Sequence, residues 1–315
     1  MPFLHKILII FITLFSFNII YNIVDGRPIN MSSIIPTYEP FESLPTIASC
    51  SKTELPIKEY TVLSSWNSCV TTSYDVSLDQ IQYVLNNGCR FFDFEIYYLD
   101  KKPVVGYSSY ESYNYIDSNY IPLIDVCKFI AIQAFTSPTP NSDDPLFIHL
   151  RIKAHDHNIF ELIANHIMGS GMKNKLFSGN LSSNHKLSDI MGKIVIIVDQ
   201  SYVPNINKYA CIDKCETDIL NIINLFSNTN LLQSSKISEM IDKEPTSSKH
   251  LKMTSYGTGP YITPNNSHKF KEVISNHHIN FLPVKFYNKD DNLKLYTNFF
   301  SDNGQTAFVP LSDVR

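Results

Sequence analysis

Gly88-Cys89-Arg90-Phe91-Phe92-Asp93-Phe94-Glu95-Ile96, preceded by Ser64-Ser65-Trp66-Asn67-Ser68 and followed by Pro103-Val104-Val105-Gly106-Tyr107, is the stretch on which the reading of this chain turns. Alternation along 89–96 puts Phe92, Phe94 and Ile96 on one side of a strand and Asp93 and Glu95 on the other. Two carboxylates therefore stand side by side. Upstream, Ser77 followed by Gln80 is a capping-box signature, Leu78, Ile81, Val84 and Leu85 form a helical stripe, and Gly88 is a natural stop. The local expectation is a helix, a tight turn, and a strand with acids near its far end.

The order Ser-Ser-aromatic-Asn-Ser, helix, Gly-Cys-Arg-x-x-acid-x-acid and Pro-Val-Val resembles the X region of phosphatidylinositol-specific phospholipases C. The resemblance implies an α/β fold, a distorted (β/α)8 TIM-type barrel, and cleavage of a phosphodiester by two histidines, assisted in the eukaryotic branch by calcium. Trp66 stands where the first family histidine belongs, and Tyr107, or its neighbour Gly106, where the second does. Neither replacement works as an imidazole acid or base at neutral pH.

The resemblance also implies a role for the acids. Asn67, Asp93 and Glu95 keep the types and order of the family's calcium ligands, with the two acids swapped in size, while the third acidic ligand falls on Arg151. Calcium takes about six or more oxygens, so the competing reading makes Asp93 and Glu95 partners of Arg90, Arg151 or Lys153 in an ion-pair network at the barrel mouth. In that case no metal is needed, because a guanidinium binds phosphate oxygens in a fork; Arg151 and Lys153 are the candidate phosphate-binding residues. His149 alternates with them on one strand face, either as a hydrogen-bonded structural histidine or as a substitute base. Trp66, the only tryptophan, either covers the pocket or inserts into lipid.

Farther along, Ala134-Phe135, a proline-containing loop and Leu146-Phe147-Ile148-His149-Leu150-Arg151 continue the likeness, with helices expected over 121–135 and 158–168. Met191-Gly192-Lys193-Ile194 resembles the strand that ends the X region, with Ile197 and Asp199 where phosphate-binding lysines are implied. Residues 60–199 form the X-like half of the barrel. Residues 200–250 are polar and irregular apart from a helix expected near 218–226, and read as an insertion. Residues 251–311 form the Y-like half, marked by an apolar strand over 281–286, Asp290-Asp291 and Ala307-Phe308-Val309-Pro310-Leu311.

The chain of 315 residues is 43% hydrophobic and 12% aromatic, enough for one large domain of roughly 250 residues with an N-terminal extension. A net charge of -4 without a basic run leaves no electrostatic footprint for nucleic acid. Residues 7–24 are uncharged and mostly apolar, near the lower limit for a bilayer span. Residues 1–26 therefore read as a hydrophobic helix, either a single-pass membrane anchor or a cleaved signal that leaves a secreted protein, and residues 27–59 as a linker. Six cysteines, among them Cys211 and Cys215, permit disulfides if the domain is translocated, whereas Cys89 and Cys127 sit in apolar patterns. Asn30, Asn180 and Asn265 open glycosylation acceptor patterns.

Three readings of function follow. The first is a membrane-associated phosphodiesterase-fold protein that has lost catalysis but keeps a lipid or phosphoinositide headgroup as partner. The second is an active phosphodiesterase with a rebuilt site, and the third a membrane-anchored interaction domain.

Overall fold

The structure, a computed structural model, describes residues 47–109, 113, 116, 119–209, 218–241, 250–256 and 266–314. The chain divides into units 1–44 and 45–315, and every described residue belongs to the second. The N-terminal hydrophobic segment, most of the linker, Cys211, Cys215, Asn30 and Asn265 lie outside the described residues. Among the described residues no helix is long and apolar enough to cross a membrane.

The fold is mixed α/β with a largely parallel sheet. Strands β1 (Tyr60–Val62) and β2 (Ser64–Ser65) lead to helix α1 (Leu78–Asn86) and the long β3 (Phe91–Leu99). Ser77 caps α1 by accepting from the Asp79 amide at 3.1 Å, two residues on, instead of completing the box with Gln80. Gly88 takes φ +77° at the turn into β3, and a Cβ there would lie 2.7 Å from Ile47, so both the backbone and the packing require glycine.

A hairpin of β4 (Lys102–Gly106) and β5 (Ile121–Pro122) pairs antiparallel with the far half of β3. Helix α2 (Leu123–Gln133), β6 (Leu146–Lys153), α3 (Asn158–Gly169), β7 (Ile194–Asp199), β8 (Leu225–Ser227), β9 (Leu232–Lys236), the short α4 (Ile237–Ile241) and β10 (Leu251–Ser255) follow. Parallel pairing runs β2-β3-β6-β7-β8-β9-β10. After α5 (Phe270–His277), residues 281–284 bridge back in parallel from Met253 of β10 to Val62 of β1 through Phe281, and Val284 reaches Ser65 of β2. Helix α6 (Asp291–Asp302) and β11 (Phe308–Pro310), antiparallel to β1, complete the chain.

The expected strand over 281–286 is present only as these single bridges, since Pro283 has no amide to give to a ladder. A second difference falls in 200–250. The helix expected near 218–226 is a single 3-10 turn, Ile219–Asn221, followed by β8, and both β8 and β9 are members of the sheet. A short apolar run such as 219–226 does not reveal by periodicity alone whether it is helix or strand.

Inside the sheet Phe91, Phe147 and Phe281 pack with ring centroids 4.8 and 5.0 Å apart, an aromatic floor beneath the polar residues that follow on β3 and β6. Cys50, Cys69, Cys89 and Cys127 are buried free thiols.

Candidate functional site

β3 places Asp93, Glu95 and Tyr97 on one face, and β6 places His149, Arg151 and Lys153 on the same side. Parallel pairing in register then sets Asp93 beside His149, Glu95 beside Arg151 and Tyr97 beside Lys153. An acidic rung system thus meets a basic one. The site is assembled by period-two alternation on two neighbouring strands, with Asn67 delivered from the loop after β2. Asn67 sits at φ +46°, a left-handed conformation that asparagine tolerates.

Arg151 is the hub. Its Nε donates to Asp93 Oδ1 at 3.0 Å, Nη2 to Asp93 Oδ2 at 2.6 Å and to Asn67 Oδ1, and Nη1 to Glu95 Oε1 at 2.7 Å. Asp93 also accepts from the Asn67 amide at 3.1 Å and from His149 Nδ1 at 2.7 Å. Glu95 Oε2 takes the Tyr97 hydroxyl at 2.5 Å and the Ser108 amide at 3.3 Å, with Lys153 Nζ at 3.2 Å. All of these side chains are buried. Burial by itself pushes the Asp93 carboxyl up, but the Arg151 charge and the His149 hydrogen bond outweigh it and hold Asp93 well below the usual carboxylate range. Burial likewise works against the charge on Arg151, and Asp93 with Glu95 keeps it firmly protonated. Burial and the neighbouring Glu95 push the Tyr97 phenol far up, so it acts as a donor.

Aromatic rings close over the guanidinium. Arg151 Cζ lies 3.9 Å from the Trp66 ring centroid, Trp66 contacts Tyr256 at 5.3 Å, and Lys285 Nζ lies 4.7 Å from the Tyr256 ring. Burial pushes the Lys285 ammonium down to about 8, with Asp290 acting in the opposite sense. Trp66 is itself only 7% exposed.

Of the residues singled out from sequence, Trp66, Asn67, Asp93, Glu95, His149, Arg151 and Lys153 meet in this one cluster. Tyr107 does not join the ion pairs; it follows β4 and packs on Tyr74 at 5.6 Å and Tyr287 at 6.5 Å, while the amide of its neighbour Ser108 reaches Glu95. Arg90 is elsewhere. Its Nη1 donates to the Ala134 carbonyl at 2.8 Å and its Nη2 to the Asn141 carbonyl, so it tethers the loop after α2. Sequence reasoning missed Tyr97, Ser227, Tyr256 and Lys285. Alternation along β3 was a signal for Tyr97, whereas nothing in the local pattern marked the other three.

The guanidinium occupies the oxygens implied for calcium. Asn67 Oδ1, both oxygens of Asp93 and Oε1 of Glu95 all accept from Arg151, and a divalent ion beside that fixed positive charge does not fit the arrangement. Among the described residues no group of three His, Cys, Asp or Glu side chains is placed to hold a metal.

Residues 53–200 match the family described as phosphatidylinositol-specific phospholipase C, X domain. No curated protein sequence matches the chain. Among solved structures the chain is similar to PLC21 of L. pealei, at 15% identity and a TM-score of 0.63, over 82% of this chain and 38% of that one. PLC21 of S. officinalis matches at 15% identity and TM-score 0.61, over 82% and 37%. A calcium-dependent phosphoinositol-specific phospholipase C from a Gram-negative bacterium, Pseudomonas sp, matches at 11% identity and TM-score 0.51, over 84% and 98%. The chain thus spans well under half of the first two proteins and nearly all of the third, and at these identities the likeness is one of fold.

Proposed function

Because residues 53–200 belong to the phosphatidylinositol-specific phospholipase C X-domain family, we propose that this chain is a phospholipase C-like phosphodiesterase-fold protein that no longer carries out the family reaction. In this reading the return of the pairing from residues 281–284 to β1 and β2 makes the fold a distorted (β/α)8-type barrel, with the Arg151 cluster at its mouth. Tethering through the N-terminal hydrophobic segment, and a membrane lipid or phosphoinositide headgroup as partner, belong to the same proposal.

The observation that carries it is the state of Arg151. The two family proton-transfer positions hold Trp66 and a tyrosine, and each lost general acid or base costs about 10² to 10⁴ in rate. A phosphate arriving at the mouth would find Arg151 and Lys153 already engaged by Asp93 and Glu95 and roofed by Trp66. Calcium has no place beside them. A rebuilt phosphodiesterase site with His149 as the base for a substrate hydroxyl is the competing reading. Both ring nitrogens of His149 are taken, one by Asp93 and the other by Ser227, which disfavours it.

The test is release of inositol phosphates from phosphatidylinositol vesicles by the purified full chain, with and without calcium. No release above buffer is expected in either condition. Sustained turnover that disappears in His149→Ala would overturn the proposal in favour of the rebuilt site.

A further inference from the structure

Asp93, His149 and Ser227 come from β3, β6 and β8 and meet through the two ring nitrogens of His149. His149 Nδ1 lies 2.7 Å from Asp93 Oδ1, and His149 Nε2 lies 2.9 Å from Ser227 Oγ. Asp93 is held ionised by Arg151 and is therefore acceptor-only, so Nδ1 is the nitrogen that carries the proton. With the imidazole neutral, the lone pair of Nε2 faces the Ser227 hydroxyl, which donates to it. An acid that orients an imidazole, which in turn accepts from a hydroxyl, is the arrangement that activates a serine. The same geometry explains why His149 cannot serve a substrate hydroxyl: the hydroxyl within its reach belongs to the protein.

Ser227 is the last residue of β8, and Asn228 turns the chain out of the strand at φ +60°. In the sheet register Ser227 lies beside Asp199, in the layer at the ends of the strands that also holds Arg151. Charge decides which electrophile suits it. The two carboxylates Asp93 and Glu95 are matched by Arg151 and Lys153, which leaves the buried Asp199 carboxylate beside Ser227, held by the neutral donors of Ser201 and Asn228, to balance the positive charge that forms on His149 as Ser227 loses its proton. With that carboxylate as the neighbour of Ser227, an electrophile without charge of its own suits the site, since an anionic phosphate would be repelled.

We propose that Ser227 is a nucleophile toward uncharged phosphorus esters, with His149 as its base and Asp93 as the residue that orients the base. In the step, Ser227 Oγ forms a bond to phosphorus, the bond from phosphorus to the leaving group breaks, and the Ser227 proton passes to His149 Nε2 and then to the leaving group. The product is a phosphoryl ester on Ser227. This chemistry is separate from the family reaction, in which a hydroxyl of the substrate attacks.

The experiment treats the folded full chain with a small dialkyl fluorophosphonate, in which fluoride leaves, and maps the adduct by intact mass and peptide sequencing. One adduct is expected, on Ser227. It should disappear in Ser227→Ala and after heat denaturation, and form at least about 100-fold more slowly in His149→Gln, the cost of losing a general base. The three side chains are buried, so labelling of the native protein is expected to be slow. A native protein that leaves Ser227 unmodified, or one labelled equally well when denatured, would show that the serine and histidine merely satisfy each other in the interior. That result is read independently of lipid turnover.

Discussion

Replacing Arg151 by methionine keeps an unbranched apolar stem and removes the guanidinium with its charge and all four hydrogen bonds to Asn67, Asp93 and Glu95. Asp93 would keep only His149 and the Asn67 amide, and Glu95 would keep Lys153, Tyr97 and the Ser108 amide. Taking one partner from a buried ion pair costs about 3–5 kcal/mol, because the other charge stays behind in a low-dielectric interior. In a domain of this size that corresponds to a fall in Tm of roughly 10 °C. The sign with pH follows from Asp93, whose folded pKa is depressed: its contribution is present above the carboxylate value of the unfolded chain and is lost as pH falls through the folded one. The deficit of Arg151→Met should therefore be full at pH 7 and shrink toward acid. The assay is urea unfolding of both proteins at pH 7 and in acid. A variant within about 1 kcal/mol of the parent at pH 7 would refute the reasoning, since it would mean the guanidinium is not what neutralises the two carboxylates. Arg151→Glu supplies the acid that the family pattern implies there; calcium should raise its Tm and leave the parent unchanged.

Trp66 is the single tryptophan, so the intrinsic indole emission of the protein reports the cover over Arg151. Blue-shifted emission that acrylamide barely quenches is expected, with Trp66→Ala losing about 3 kcal/mol of stability; the emission of a solvated indole would show that the cover is not in place. Lys285 has a folded pKa pushed down to about 8, so between that value and the ordinary lysine value the unfolded chain binds more protons and stability rises with pH. Lys285→Met should flatten this rise between pH 8 and about 10, seen as urea midpoints that no longer climb, and an unchanged slope would contradict the burial argument.

Much of the site's chemistry was legible in the chain because the direction of a side chain along a strand is a local property with period two. Asp93 and Glu95 had to share a face of β3, and His149, Arg151 and Lys153 a face of β6, wherever those strands went. The helix ahead of Gly88 and the apolar faces of α2 and α3 were readable for the same reason, since capping and periodicity need only near neighbours. Register is not local. Whether Asp93 and Glu95 would find Arg90, Arg151 or Lys153 depended on which strand lay beside β3 and at what offset, and only the pairing of Glu95 with Arg151 settled it. Arg90 points instead to two carbonyls, a choice its own neighbours in sequence do not reveal. The membership of β8 and β9 in the sheet was hidden because short strands carry too few residues to establish a period. For the same reason Ser227, Tyr256 and Lys285 carried no signal: each reaches the cluster from a different, distant part of the chain, and what gives it a role is the contact at the end of a long-range closure, which exists only once the sheet has folded.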